Sequence, residues 1–233
     1  MFKKAISKFA TLLLSCAATT RSAKTKVTII GTFHGSMKKM KIYTPEKLRE
    51  LLEGTNPDVV VIEARPQDFA QNTTKNTPWD ISEIAIPFAL QRNVSIEPFD
   101  WWLDDTREKA AKFYDELIKT AEGKKIFDYV EDEWRPFRSQ FNDFNDVTPE
   151  YVHSVEFARL EIEFRNEVTK LVGEGPQNLM WSERAQKMNE NLAKILMLYP
   201  GKRMTIVTGA FHRPDIEQFL VTRQDVQIIP LFK

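Results

Sequence analysis

Cysteine and histidine are both scarce in this chain of 233 residues, which contains one cysteine and three histidines. The cysteine, Cys16, lies near the amino terminus, in a segment with the features of a removable leader. A mature chain without Cys16 cannot form an internal disulfide, and a metal site in it would need nitrogen and oxygen ligands. These shortages exclude a disulfide-stapled fold and a cysteine-based zinc site, and they make each histidine a candidate ligand.

A net charge is also lacking, because 33 basic side chains are balanced by 33 acidic ones that are interspersed along most of the chain. Without a positive field we expect no nucleic acid partner. The sequence contains no Gly-rich phosphate loop, nucleophile elbow or His-Glu-x-x-His motif. Its 42% hydrophobic and 28% charged residues are typical of a globular domain, and its length suits one domain, with or without an insertion.

Acidic residues are missing altogether from Met1 to Tyr43. Within this segment three lysines precede the apolar run Phe9–Ala18, which is too short to span a bilayer as a helix. A basic start, a short apolar run and the small residues after it predict an export leader over residues 1–23. A single domain is then expected over residues 24–233.

The leader allows three interpretations. Ser15-Cys-Ala17 could be an ordinary cleavage site, whereas Leu13-Leu-Ser-Cys16 resembles a bacterial lipobox, in which Cys16 would be lipidated. A mitochondrial transit peptide has only Arg21 in its favour. We therefore expect an exported protein in a bacterial context, either periplasmic or a membrane-anchored lipoprotein, with a lipid anchor at Cys16 as its only contact with a membrane.

Short β-branched runs alternate with helical patterns along the chain. Strands are predicted at Lys26–Ile30, Asp58–Ile62, Asn93–Glu97, Arg203–Val207 and Asp225–Leu231, and helices from Thr44-Pro45, over Ile81–Gln91, over Gln177–Tyr199 and from Pro214. This alternation predicts an α/β fold with a mainly parallel central sheet flanked by helices. Residues of about 104–175 show helical spacing only, which predicts an all-helical insertion covering the carboxyl edge of the strands.

Two of the histidines end the same motif, Gly-x-Phe-His. The first motif is Gly31-Thr-Phe-His34 and the second is Gly209-Ala-Phe-His212, and each follows a predicted strand. The glycine would permit a sharp exit from the strand, leaving the imidazole at the carboxyl edge, where open α/β sheets bind their ligands. We expect His34 and His212 to meet in space, although a lone histidine after a strand is more often structural.

Two acids follow the remaining central strands. Glu63 comes directly after the second predicted strand, and Asp100 after the third. With His34 and His212 they would form a site for Mn²⁺, Co²⁺ or Zn²⁺, in which Glu63 is a ligand or a base and Asp100 a second catalytic carboxylate. Two bland alternatives stay open, because Glu63 could pair with Arg65, and Asp100 could cap the following helix.

Three further polar residues are candidates for the same site. Arg184 lies beside the buried face of the late helix, from which it could hold an anionic intermediate or orient Glu63, or it could form only a surface ion pair. Arg65 and Ser36 are predicted substrate contacts. The third histidine, His153, lies on an amphipathic helix and is expected to be structural.

Four short motifs together resemble the TraB/GumN/Tiki superfamily, which is related to the erythromycin esterases and to ChaN-like haem-binding proteins. The matching positions are Gly31, Thr32 and His34; Glu63 and Arg65; Glu183, Arg184 and Met188; and Gly209, Ala210 and His212. The motifs frame nearly all of the mature chain, but its middle is unmatched. The spacing of Glu63 and Arg65 is tighter than in some branches of that superfamily.

The resemblance implies an α/β fold with a helical insert and a divalent-metal site on the paired histidine motifs. It implies a metal-dependent hydrolase that cleaves a peptide or ester bond of a peptide or small-molecule substrate. The rival interpretation is a non-catalytic protein that sequesters a peptide or a haem-like ligand in the same cleft. A third has purely structural histidines and a scaffold role.

Overall fold

The structure, a computed structural model, describes residues 23–73, 76–102, 109, 112, 115–117, 119–129, 146–173 and 181–232. The predicted leader, Cys16 included, lies outside the described residues, as does most of the first half of the predicted insertion. No helix among the described residues is long and apolar enough to cross a membrane.

Five strands form one parallel sheet in the order β3-β2-β4-β1-β5. They are β1 (Thr25–Thr32), β2 (Val59–Ile62), β3 (Ser95–Pro98), β4 (Arg203–Gly209) and β5 (Val226–Ile228). The predicted α/β fold with a mainly parallel sheet is thus confirmed. The central strands are apolar and buried on both faces, as parallel strands between two helical layers should be.

Helices cover both faces of the sheet. The described α-helices are α1 (Pro45–Thr55), α2 (Pro66–Ala70), α3 (Ile86–Arg92), α4 (Ala121–Tyr129), α5 (Pro149–Val152), α6 (Val155–Val172), α7 (Glu183–Leu198) and α8 (Arg213–Val221). One apolar core packs α1 and α3 against the sheet, and a second packs α7 and α8 against its other face. Short 3₁₀ turns follow β1 at His34–Lys39 and β4 at Ala210–His212.

The helix predicted over Ile81–Gln91 divides into two parts. Its first turn, Ile81–Ala85, is a π-helix in which the N–H of Ile86 bonds to the carbonyl of Ile81, and α3 follows. Pro87, in the first turn of α3, has no N–H for the regular ladder, which explains the shift of register. Because π turns often accompany functional sites, the residue just before this one, Asp80, is of interest.

The described end of the predicted insertion lies against the carboxyl ends of β1 and β4. Nε2 of His153, just after α5, accepts the N–H of Gly31 at 2.9 Å, and its Nδ1 donates to the carbonyl of Pro149 at 2.5 Å. Burial lowers the pKa of His153 to about 4, so the ring is neutral and both of its nitrogens are bonded. His153 thus joins α5 to β1, in keeping with the structural role predicted for it.

Candidate functional site

Four strands end at one edge of the sheet, and a predicted site residue follows each of them. His34 follows β1, Glu63 follows β2, Asp100 follows β3 and His212 follows β4. Nε2 of His34 lies 3.6 Å from Oε1 of Glu63. Nε2 of His212 lies 3.7 Å from that same oxygen. The structure therefore brings both histidines to Glu63 at the edge where parallel sheets place their ligand sites.

Arg184 lies at the centre of this cluster, on the buried stripe of α7. Its Nη2 donates to Oε1 of Glu63 at 2.7 Å, and its Nε donates to Oδ1 of Asp100 at 2.9 Å. Its Nη1 donates to Nε2 of His212 at 2.8 Å. The carbon of the guanidinium lies 4.2 Å from the ring centre of Trp102. The guanidinium of Arg184 therefore balances the negative charges of the two buried carboxylates. The prediction that Arg184 reaches the strand ends is confirmed.

Glu63 is 2% exposed, yet its charge is well compensated. Its Oε2 accepts the hydroxyl of Thr208 at 2.7 Å and the N–H of Gly209 at 2.6 Å. Burial alone would raise the pKa of Glu63, but the positive charges of His34 and Arg184 hold it well below its usual range. Glu63 is therefore ionised, and both of its carboxylate oxygens accept hydrogen bonds from the groups around it.

His34 is held between two carboxylates. Its backbone lies in the left-handed region (φ 51°), where histidine is one of the tolerated residues. Nδ1 lies 3.0 Å from Oδ1 of the fully buried Asp80, and Nε2 faces Glu63. Burial alone would lower the pKa of His34, but the charge of Glu63 and the hydrogen bond to Asp80 raise it to about 10. His34 is thus protonated at neutral pH, and its side chain, 32% exposed, is accessible to a substrate.

His212, unlike His34, is neutral. Its side chain is 10% exposed, and burial together with the neighbouring Arg184 lowers its pKa to about 3. A guanidinium can only donate hydrogen bonds, so Nε2 of His212 accepts from Arg184 and the ring proton resides on Nδ1. His212 is therefore a neutral acceptor that positions Arg184.

Asp100 is a carboxylate with a pKa near neutrality. Burial raises its pKa, Arg184 opposes that shift, and the charge of Glu63 adds to it, which gives a value of about 6. Its Oδ1 accepts the N–H of Trp101 at 2.7 Å as well as Nε of Arg184. The alternative in which Asp100 only caps a following helix concerns residues 103–108, which lie outside the described part of the chain.

The glycines of the two motifs allow the strand ends to approach each other closely. An ideal Cβ at Gly209 would lie 2.7 Å from Nε2 of His34, and one at Gly31 would lie 3.1 Å from Cα of Ala210. Neither glycine has a positive φ, since among the described glycines only Gly173 and Gly201 do. The chain does leave β4 directly after Gly209, as predicted, but β1 continues one residue past Gly31, and neither exit uses a left-handed glycine. Both glycines are needed for the contact between the motifs.

The phenylalanines of the two motifs hold the insertion against the sheet. Phe33 and Phe211 pack edge to face at 5.9 Å between ring centres. Phe157 of α6 stacks on Phe211 at 6.1 Å and meets the edge of Phe33 at 6.2 Å. Each motif thus supplies a histidine to the site and a phenylalanine to the contact with α6.

The predicted substrate contacts lie outside the cluster. Arg65 donates from Nε and Nη2 to the two carboxylate oxygens of Asp68 at 2.6 and 2.7 Å. The alternative pairing of Glu63 with Arg65 is therefore wrong, because Asp68 takes Arg65 and Arg184 takes Glu63. Ser36 is exposed in the 3₁₀ turn that begins at His34, and its role in substrate binding stays a prediction.

Sequence reasoning missed Asp80 and the hydroxyls near it. Asp80 directly precedes the predicted helix Ile81–Gln91, where an aspartate would ordinarily be expected to cap. In the structure its backbone is already helical (φ −65°, ψ −30°) and its side chain makes no capping bond. Oδ2 of Asp80 accepts the hydroxyl of Thr32 at 2.5 Å, and its Oδ1 holds His34. No local pattern distinguishes this aspartate from a cap, because its partners come from β1, far away in the sequence.

Comparison with protein-family models, with curated proteins and with solved structures finds no match. The resemblance to the TraB/GumN/Tiki superfamily therefore stays a prediction that depends on the motifs quoted above. The function has to be argued from the geometry and charges of the site itself.

Proposed function

We propose that this protein is an exported hydrolase that cleaves a peptide or ester bond at the carboxyl edge of its sheet. The observation that carries the proposal is a pair of titratable groups on one cluster, Asp100 and His34, whose pKa values are both raised and lie on either side of neutrality, at about 6 and about 10. Such a pair is typical of active sites that need one acid and one base at the same pH. Glu63 and Arg184 lie between them.

The two groups have complementary roles in this proposal. Asp100, with a pKa of about 6, is ionised at neutral pH, and its Oδ2, the oxygen not bonded to Arg184 and Trp101, takes a proton from the attacking water. His34, with a pKa of about 10, is protonated and donates to the leaving group. Arg184 stabilises the negative charge that develops on the attacked carbonyl, and Asp80 orients the imidazole of His34.

A divalent metal ion, Mn²⁺, Co²⁺ or Zn²⁺, is the second form of this proposal, with His34, His212 and Glu63 as ligands. Nε2 of His34 and Nε2 of His212 lie 3.6 and 3.7 Å from Oε1 of Glu63, near the ~3.4 Å expected between tetrahedral ligands with bonds of ~2.1 Å. As they stand, however, no three such side chains among the described residues are arranged to hold a metal ion. When bound, the ion would supply Lewis-acid activation of water. The single lone pair on Nε2 of His212 is taken by Arg184, however, so the guanidinium would have to withdraw first.

A metal-by-substrate activity screen tests both forms. Purified protein, treated with chelator or supplied with Mn²⁺, Co²⁺ or Zn²⁺, would be assayed on peptide and ester libraries after elemental analysis. Asp100→Asn and His34→Gln should each lower kcat/KM by about 10²–10⁴. Glu53→Gln is a control, because Glu53 is a half-exposed acid at the end of α1 that pairs with Arg92 and makes no contact with the cluster.

The pH profile distinguishes the two forms. The acid–base form predicts a bell-shaped kcat/KM that rises through a pKa of about 6 and falls through one of about 10. The metal form predicts activity that needs added ion and calorimetric binding that His34→Ala and His212→Ala abolish. A protein that hydrolyses nothing but gives a strong visible band on haem titration would instead be the binding protein of the rival interpretation.

A further inference from the structure

Three of the most exposed large apolar side chains lie at the end of the molecule opposite the site. Met197, Leu198 and Val221 are 68%, 69% and 73% exposed. They occupy the last turns of α7 and α8, two helices that contact each other and lead back to the amino ends of β4 and β5. The candidate site is at the carboxyl edge, so these side chains have no role in it.

The described chain begins at this same end. The hydroxyl of Thr25 donates to the carbonyl of Tyr199 at 3.1 Å and accepts the N–H of Gly201 at 3.0 Å. The backbone of Ala23 lies against Gly201, whose ideal Cβ would be 3.3 Å from the Ala23 carbonyl oxygen. The first described residue, Ala23, therefore lies beside the end of α7.

Lysines flank the exposed apolar side chains. Lys24, Lys194 and Lys202 are exposed, Lys194 being one turn before Met197 on α7. Each of these lysines has an acid nearby, but each acid is paired with a second basic side chain, which leaves the surface basic on balance: Asp225 with Arg223, Asp58 with Arg203 and Glu190 with Lys187. Apolar side chains bordered by long basic ones are typical of surfaces that lie in the interface of an anionic membrane.

We propose that this amino-edge surface, formed by Lys24, Lys194, Met197, Leu198, Lys202 and Val221, docks on an anionic lipid bilayer. The apolar side chains enter the headgroup region, and the lysines lie against the charge of the lipids. The exposed lysines favour anionic lipids over neutral ones, and the exposed apolar side chains between them favour a bilayer over a soluble anion. In this orientation the carboxyl-edge site faces away from the bilayer, open to the aqueous phase.

Vesicle binding tests the proposal. All variants carry Cys16→Ser, which removes the thiol that lipidation needs, so that the surface is measured without a lipid anchor. Partitioning would be measured on phosphatidylcholine vesicles with and without about one-third phosphatidylglycerol, a lipid charge that attracts basic side chains. The combined change Met197→Ser and Leu198→Ser should weaken binding to the anionic vesicles about tenfold or more. Lys24→Gln and Lys202→Gln should each weaken it about fivefold.

Two exposed residues elsewhere provide matched controls. Val155→Ser and Ile162→Ser change apolar side chains of α6 that are 86% and 44% exposed, and both variants should bind vesicles like the parent protein. The proposal is overturned if the Met197 and Leu198 variant binds like the parent, if the controls weaken binding equally, or if neutral vesicles bind as well as anionic ones. It is also overturned if sedimentation shows a dimer that the same variant dissociates, since the surface would then join two copies of the chain.

Discussion

The two Gly-x-Phe-His segments share a local sequence and differ in charge. His34 lies in a left-handed backbone conformation between Asp80 and Glu63, and its pKa is raised to about 10. His212 lies in a helical conformation against Arg184, and its pKa is lowered to about 3. The motif therefore sets where an imidazole lies, whereas the residues packed against it set whether the imidazole carries a proton.

The largest loss of stability is expected from removing the guanidinium of Arg184, which contacts His212 but not His34. Arg184→Met leaves Glu63 and Asp100 buried side by side without a balancing charge, which should lower the free energy of unfolding by about 3–5 kcal/mol. Urea denaturation at pH 7 measures this loss. Arg159→Met is the control, because its pair with Glu163 is exposed and should contribute less than about 1 kcal/mol. Equal losses in both variants would contradict a central role for Arg184.

The next largest effect is expected on the pKa of His34 when Asp80, which contacts its Nδ1, is changed. Asp80→Asn removes a buried negative charge from Nδ1, so the pKa of His34 should fall by about 1–3 units toward its ordinary value. An NMR titration of the His34 ring protons measures the change, with Asp68→Asn as a control that disturbs the contacts of Asp68 with Arg65 and Asn76. An unchanged His34 titration would show that Asp80 does not hold the proton there.

The pH dependence of stability should separate the two histidines directly. The folded pKa of His34 is raised, so its contribution is present below pH 6.5 and is lost as the pH rises from 6.5 through about 10. The folded pKa of His212 is lowered, so its contribution is present above pH 6.5 and is lost as the pH falls from 6.5 through about 3.

Glutamine variants test these two windows. His34→Gln should remove a slope of about 1.4 kcal/mol per pH unit from the alkaline window, and His212→Gln should remove a similar slope from the acid one. Urea denaturation from pH 4 to pH 10 measures both. If each variant flattened the same window, the opposite charge states assigned to the two histidines would be wrong.

The smallest loss of stability is expected from changing the phenylalanines that the two motifs share. Phe33→Leu and Phe211→Leu each remove ring contacts with Phe157 and should cost about 0.5–1.5 kcal/mol of unfolding free energy. Combining either change with Phe157→Leu should give less than the sum of the single losses, because the rings contact one another. Phe219→Leu, on α8, is a control that should add independently. Full additivity within the trio would indicate that the rings act separately.

Much of the fold follows from local patterns. Buried runs such as Val59–Ile62 read as central strands, and the helix that begins at Pro45 has the predicted cap, because Thr44 accepts the N–H of Lys47. The position of Arg184 beside an apolar stripe was also enough to predict its reach to Glu63. Asp80 was not predictable, since its partners, Thr32 at the end of β1 and His34 just after it, are far away in the sequence.

The order of strands and helices can be predicted from the sequence alone, and so can the four polar residues that follow the strands. Parallel strands share an edge, so His34, Glu63, Asp100 and His212 had to be near one another. Only the tertiary structure decided the bonding within that group. Arg184 is 121 positions from Glu63, and Asp80 is 46 from His34. Because a pKa depends on burial and on charges a few ångströms away, the protonation of each residue was decided by these distant partners.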